Sequence, residues 1–413
     1  MLNPSQKLAE PFLRTELRDR NGVILVAAAG MGKSFLLKHF IKTTTSYRNI
    51  LVISETNQAV NILRKDLGNL PNVEFKTVCA ALNYVLEHKS HGFDLVQKNF
   101  PDWSGKDLVI LDEGSQLGKA RLAEILALSN KIIICGDDCQ APPVGELESP
   151  AFNHPIFKRV SLNIPMRNMT EIFSFCQELR AIIGTNKIFP KTFQVSEKEF
   201  NKKIEESLLD FSLGNAAILA FSEKGAKLRA VFDHNTKIRH ALFGAVNLPS
   251  SGERIVFKNA YIPFLKEKAV ESYRGKEFPL FTNMRGTILD IGSAELRVGK
   301  FVIPALRIKL VSDDYPGVEL FGYSPLCKET YEHVRTAMFA QRDERLKKLF
   351  FSLWLNYQPA YSTNIYVCQG LSIKKVFIDL KDIVLCTKDN LLLRQKLFYV
   401  AASRSVEELY IKA

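Results

Sequence analysis

The sequence predicts an α/β protein built on parallel sheets, and three observations carry that prediction. First, short apolar runs recur early in the chain: "GVILVAAAG" (22–30), "ILVISET" (50–56), "DLVILDEGS" (107–115) and "KIIICGDD" (131–138). The first three lead into helix-like patterns, "KSFLLKHFIKTT", "QAVNILRKDL" and "ARLAEILALS". Runs this apolar, set between helices, read as strands buried on both faces of a parallel sheet. Second, the pattern returns with "AAILAFSEK" (216–224), helical "AKLRAVFDHNTKIRHALFG", "NIYVCQG" (364–370), "KVFIDL" (375–380) and "ELYIKA" at the end. Third, the stretch between them has another texture. "TNMRGTILDIG", "AELRVGKFVIPALRIKLVSD" and "GVELFGYS" are strand-rich with glycine-bearing turns, and "ETYEHVRTAMFAQRDERLKKLFFSLWLNY" reads as a basic helix. This is the pattern of a small β-barrel or sheet inserted into the second α/β set. Residues 82–106 form a smaller, polar and aromatic insertion in the first set.

The bulk numbers narrow the class. The chain has 413 residues, 46% hydrophobic and 24% charged, the balance of a soluble globular protein with two or three domains. A formal net charge of +12 favours a polyanionic partner. The first residues, "MLNPSQKLAEPFLRTEL", lack the apolar core of a secretory signal. No apolar run approaches the roughly 20 residues of a membrane-spanning helix. A cytoplasmic protein is expected, with no membrane partner. Of the seven cysteines, Cys135 and Cys139 are four apart, but no second pair or nearby histidine completes a zinc set. Free thiols and no structural metal are therefore expected.

The chemistry starts in "VAAAGMGKSF" (26–35), where an apolar run ends in a near match to G-x-x-x-x-G-K-[S/T]. Successive backbone N–H groups of such a loop point at phosphate oxygens, and the following helix N-terminus adds positive potential. Lys33 reaches the β and γ phosphates, and the Ser34 hydroxyl ligates Mg²⁺. Ala27 replaces the first glycine of the pattern and adds only a methyl, which costs little where φ is negative. "LVILDEGSQ" then delivers Asp112 and Glu113 to the C-terminal end of a strand, where open parallel sheets bind ligands. Asp112 suits Mg²⁺; Glu113 suits the base that orients or deprotonates an attacking water. "IICGDDCQAPPV" brings Gln140 to a further strand end, where its amide can hydrogen-bond the γ-phosphate or that water.

With these in place, "AGMGKS", "DEGSQ", "GDDCQAPPV", "CQGLSIKKVFID" and "YVAASRS" fall in the order of the superfamily 1 helicase motifs. The chain resembles the 5′-to-3′ branch that contains bacteriophage Dda helicase and the RecD-like enzymes, over about 1–180 and 215–413. The resemblance implies two RecA-like parallel-sheet domains with ATP between them and single-stranded DNA across their tops. The first would be 1–180, with a pin-like hairpin insertion at 82–106. The second would be 181–254 together with 363–413, interrupted by a β-rich SH3-like insertion and helical segment at 255–362.

The resemblance also implies roles. "LNPSQKLA" makes Gln6 the reader of the adenine edge, and Gly30, Met31, Gly32, Lys33, Ser34 and Phe35 the nucleotide loop. "IPMRN" and "YVAASRS" make Arg167 and Arg404 the two arginines that stabilise the transferring phosphoryl group, with Lys33, Glu113 and Gln140. Thr56, Asn57, Thr77, Ser222, Thr363, Asn364, Gln369 and Gly370 would hold the strand, mostly through its phosphates. Phe93 or Phe100 would form the separation pin. The motif "NIYVCQG" departs from its relatives, which usually carry Thr, His and Lys where Asn364, Tyr366 and Val367 stand here.

The implied activity is an ATP- and Mg²⁺-dependent DNA helicase of replication, recombination or repair. It would act as a monomer on single-stranded DNA and on forked or tailed duplex, with a single-strand-binding or replication protein as partner. Its compact length and the resemblance to Dda point to a phage or mobile element, hence the host cytoplasm. The alternative is a nucleic-acid-stimulated ATPase, on DNA or RNA, that remodels complexes with little unwinding. An inactive nucleotide-binding scaffold is disfavoured by the presence of both Glu113 and Arg404.

Overall fold

A computed structural model describes residues 2–413 except 69, 90, 91, 144, 147, 167–169, 188, 223–228, 246, 247, 259–279, 281 and 341. The side chains of 58, 86–89, 92–94, 344, 348 and 352 also lie outside the description. The chain divides into two compact units. The first comprises Met1–Thr192, Gln369–Ser372 and Ile383–Val406; the second comprises Phe193–Cys368, Ile373–Asp382 and Glu407–Ala413.

In the first unit the elements run α1 (Pro4–Asp19), β1 (Gly22–Ala27), α2 (Lys33–Thr43), β2 (Ile50–Ser54), α3 (Asn57–Leu67), β3 (Val73–Thr77) and α4 (Val78–Ala81). A hairpin follows, β4 (Tyr84–Lys89) and β5 (Gly92–Gln97), then β6 (Leu108–Leu111), α5 (Lys119–Leu128), β7 (Ile132–Gly136), β8 (Lys158–Leu162) and α6 (Glu171–Ile182). The sheet has the order β3-β2-β6-β7-β1-β8, and its neighbours pair in parallel. Its strands are apolar because both faces are covered. Val23 and Leu25 join one core with Leu13, Phe40 and Ile133, while Ile24 and Val26 join another with Trp103, Leu122 and Ile134. Period-two alternation thus separates two cores within one apolar run.

The second unit continues with β9 (Gln194–Val195), α7 (Glu197–Glu206), α8 (Leu208–Leu213), β10 (Ala216–Ala220) and α9 (Ala230–Phe243). Then come β11 (Arg254–Phe257), β12 (Arg285–Val298), β13 (Phe301–Ser312), β14 (Glu319–Pro325), α10 (Lys328–Phe339) and α11 (Glu344–Ser352). The chain closes with β15 (Tyr357–Pro359), β16 (Ser362–Asn364), β17 (Ile373–Asp379), α12 (Leu380–Cys386), α13 (Leu391–Ala402) and β18 (Ser405–Lys412). One sheet has the order β16-β10-β17-β18-β9, with β10 parallel to both β16 and β17. The other, β14-β13-β12-β11-β15, is antiparallel and has a core of its own around Ile255, Phe257, Ile288, Ile308 and Leu310.

Two local expectations are corrected. The basic stretch after β14 is two helices, because Asp343 caps α11 by accepting from Arg345 N at 2.9 Å and Leu346 N at 3.1 Å. "NIYVCQG" is strand only as far as Asn364, and residues 365–370 are turn. No helix among the described residues is long and apolar enough to cross a membrane.

Candidate functional site

The loop after β1 closes over the C-terminal end of the first unit's sheet. Ala27 is still part of the strand, paired with Leu162, and its φ is not positive. An alanine therefore sits there without strain. Gly30 and Gly32 both have φ of +80°, the left-handed region that costs other residues about 1 kcal/mol or more. At Gly32 a Cβ would also meet Gln6 Nε2 at 2.6 Å and Met166 Cγ at 2.4 Å. Gly32 is the N-cap of α2, so Lys33 and Ser34 open the helix.

Gln6 holds this loop from below. It is fully buried; its Oε1 accepts from Asn3 N at 2.9 Å, closing a capping box, and its Nε2 donates to Gly32 O at 3.0 Å. The Nε2 bond ties α1 to the phosphate loop, while the Oε1 bond stays within the cap of α1. Met166 N adds a second tie, to Gly30 O at 2.9 Å.

Around the loop lies a cavity of about 530 Å³. Lys33, Ser34, Asp112, Glu113, Gln140 and Arg404 all line it. Lys33 Nζ makes an ion pair with Asp112 Oδ1 and lies 3.3 Å from Glu113 Oε1. The two carboxyls respond differently. Burial pushes Asp112 up, and the Lys33 ammonium opposes that without reversing it. Burial would raise Glu113 too, but the Lys33 ammonium and the Arg404 guanidinium outweigh it and hold Glu113 below the usual range. Of the two, Glu113 is the carboxyl held below its ordinary range. Its backbone is left-handed, φ 53° and ψ 42°, an uncommon conformation for a glutamate that aims the side chain off the strand.

Gln140 is 4% exposed, and its Oε1 accepts from Ser115 Oγ at 3.4 Å. Arg404, also 4% exposed, is fixed by Val400 O at 3.1 Å, Leu371 O at 3.4 Å and Ser403 Oγ at 2.7 Å. Arg167 lies outside the described residues. Asp112 Oδ1, paired with Lys33, and Glu113 Oε2 are buried carboxylate oxygens. With the Ser34 hydroxyl lining the same cavity, they make the all-oxygen donor set that suits Mg²⁺.

A family model described as an AAA domain matches residues 13–146. The Pif1 helicase of Candida albicans superposes with a TM-score of 0.52 at 15% identity, over 100% of this chain and 94% of that one. The chain has the fold of this helicase. Bacteroides Pif1 helicase, in a structure with ADP-AlF3 and ssDNA, gives a TM-score of 0.51 at 15% identity over 100% of this chain and 92% of that one. An uncharacterized protein of Acanthamoeba polyphaga mimivirus is 21% identical over 99% of each chain. The two parallel sheets are thus the RecA-like pair of the helicase fold.

On this helicase fold the expected strand-holding residues fall into separate groups. Thr56 and Thr77 are helix N-caps, accepting from Ala59 N and Ala80 N at 3.2 Å each; Asn57 opens α3. Thr363 is 7% exposed, on β16. Ser222 is buried, its Oγ accepting from Ala230 N at 2.9 Å and donating to Asp382 Oδ1 at 2.5 Å, so its hydroxyl is occupied by the fold. Asn364 is engaged at both ends of its amide. Gln369 is buried with neither amide atom hydrogen-bonded. Gly370 lines the phosphate-loop cavity. Phe100 is 82% exposed, and Phe93 pairs with His88 in the hairpin, its side chain outside the description.

Sequence reasoning missed the network behind Gln140. Asp137 accepts from Arg180 at 2.5 Å and from the Tyr399 hydroxyl at 2.5 Å, and Arg180 also donates to Asp138 at 2.7 Å. It links the Gln140 loop to α6 and to α13, whose C-terminal end leads into Arg404. Tyr399 stands five residues before Arg404, on the apolar side of a helix, with no local signal of a polar role.

Proposed function

We propose that the chain is an ATP-dependent DNA helicase that moves 5′ to 3′ along single strands and opens duplex in replication, recombination or repair. The observation that carries the reading is the convergence of Lys33, Asp112, Glu113, Gln140 and Arg404 on one cavity beside a phosphate loop. The helicase fold supports it, as does the complex of Bacteroides Pif1 with ADP-AlF3 and ssDNA.

Each residue has a task in this reading. Backbone N–H groups of residues 30–34 cradle the phosphates, and Lys33 Nζ turns from Asp112 to the β and γ oxygens. Ser34 and Asp112 would hold Mg²⁺, which when bound neutralises phosphate charge. Glu113 takes a proton from the attacking water, which Gln140 orients. Arg404, with Arg167, stabilises charge on the transferring phosphoryl group. Thr56, Asn57, Thr77, Thr363 and Gln369 contact the strand, and the β4–β5 hairpin acts as the pin.

The test is ATP hydrolysis with Mg²⁺, alone and with single-stranded DNA or RNA. The expected result is stimulation by DNA, and loss of at least 100-fold in Lys33→Ala. A rate indifferent to both nucleic acids contradicts a motor. Stimulation by RNA alone replaces DNA as the substrate.

A further inference from the structure

Two aromatic rings stand together at the C-terminal edge of the second unit's parallel sheet. Phe221 follows β10 and Tyr366 lies two residues beyond β16, and these strands are parallel neighbours with Ala220 opposite Asn364. The ring centroids are 6.0 Å apart and the planes tilted by 46°. Both residues are half-buried.

One side chain sets both rings. Asn364 Oδ1 accepts from Tyr366 N at 2.8 Å, and Asn364 Nδ2 donates to Phe221 O at 2.6 Å. Asp382 takes the other side of the same segment, accepting from Phe221 N at 2.7 Å and Ser222 N at 3.0 Å. The Phe221 backbone is therefore bonded through both its N–H and its C=O. Two residues that depart from the helicase motif, Asn364 and Tyr366, thus act as one device. Such bonding fixes a contact surface in advance and lowers the entropy lost on binding.

A preset aromatic surface at the ligand edge of a parallel sheet, in a chain of net charge +12, suits one class of partner. Every nucleobase offers a π-face, and an aromatic side chain can stack on it without reading its edge. The geometry points to a base-stacking site in which Tyr366, buttressed by Phe221, holds the face of one nucleobase of a single strand. It rests on the helicase reading and adds the contact with which this unit grips the strand. Hydroxyl and amide groups alone would grip only the backbone; a stacked base adds a grip that tolerates any sequence.

The test uses the full chain and fluorescence anisotropy with two labelled probes: an oligothymidylate, and an oligonucleotide of the same length whose bases are replaced by abasic sites. Tyr366→Ala and Tyr366→Leu should each weaken oligothymidylate binding roughly tenfold, while Tyr366→Phe stays within about twofold. On the abasic probe the native chain should lose affinity, and the Ala and Leu variants should match it. Tyr366→Leu keeps the volume without the π-face, so it stands in if Tyr366→Ala lowers the unfolding midpoint. Equal losses on both probes, or none on oligothymidylate, overturn the stacking site while leaving the helicase reading intact. A native chain that binds neither probe overturns both.

Discussion

Lys33 stands between two acids that differ in what their surroundings do to them. Burial lifts Asp112, and the Lys33 and Arg404 charges hold Glu113 down. On the proposed reading Glu113 does the work of a base and Asp112 that of a ligand to Mg²⁺. Glu113→Gln keeps the shape and removes the charge. Hydrolysis is expected to fall about 10²- to 10⁴-fold while a fluorescent ATP analogue still binds, as steady-state rates and equilibrium titration would show. An unchanged rate assigns the base elsewhere. Lys33, Ser34, Asp112, Glu113 and Gln140 were legible in the sequence because each sits at a fixed offset from a strand end. Gln6 was legible as a residue of interest, but its bond to Gly32 O was not. Whether an amide faces a ligand or a neighbouring carbonyl is decided by the meeting of α1 with the loop, and no local pattern encodes that. Tyr399 and Arg180 were invisible for the same reason.

At the scale of elements, legibility follows burial. β1, β2, β6 and β7 read clearly because both their faces are covered. β8, "KRVSL", is an edge strand with only Leu162 buried, and its polar pattern gives no signal. The β4–β5 hairpin reads as irregular for a similar reason, since it pairs only with itself. Its base is nevertheless built firmly. Arg121, on α5, stacks over the Tyr84 ring with its guanidinium carbon 3.7 Å from the centroid, and the Tyr84 hydroxyl faces Glu124 at 3.3 Å. Gln97 Nε2 donates to Leu82 O at 3.0 Å, and Lys98 N donates to Asn83 O at 3.0 Å. A cation–π contact of this kind is worth about 0.5–2 kcal/mol. α5 follows the Asp112–Glu113 strand directly, so this contact fixes the hairpin to the element behind the acids. Arg121→Ala should therefore lower the duplex opened per ATP hydrolysed several-fold, with strand-stimulated hydrolysis within about twofold of native. Paired displacement and hydrolysis assays check this, and a proportional fall in both contradicts the anchoring role.

At the scale of the whole molecule, a buried carboxylate links stability to pH. In the second unit Asp379 accepts from Lys412 Nζ at 2.8 Å and pairs with His234 Nε2 at 2.8 Å. Burial would raise its carboxyl, but these two partners bring it down to about 2, from an ordinary value of 3.8. A depressed carboxyl stabilises the fold above its unfolded value and loses that contribution as pH falls through the folded one. The native chain should thus exceed Asp379→Asn in stability by roughly 2 kcal/mol at neutral pH, and the gap should close between about pH 4 and pH 2. Denaturant titrations of both chains across that range measure it, and a gap constant with pH assigns the effect to packing. The sheets and the β-rich insertion were legible at this scale, since their periodicities differ. The return of 383–406 to the first unit was not, because a long-range packing choice leaves no mark on local pattern.

The proposed function is that of a motor that moves one way along a strand. Strand displacement with ATP and Mg²⁺, on duplexes carrying a 5′ or a 3′ single-stranded tail, tests it most directly. Displacement is expected from the 5′-tailed duplex, with little from the 3′-tailed one and none from either with Lys33→Ala. Displacement only from the 3′ tail, or from neither despite strand-stimulated hydrolysis, would contradict it.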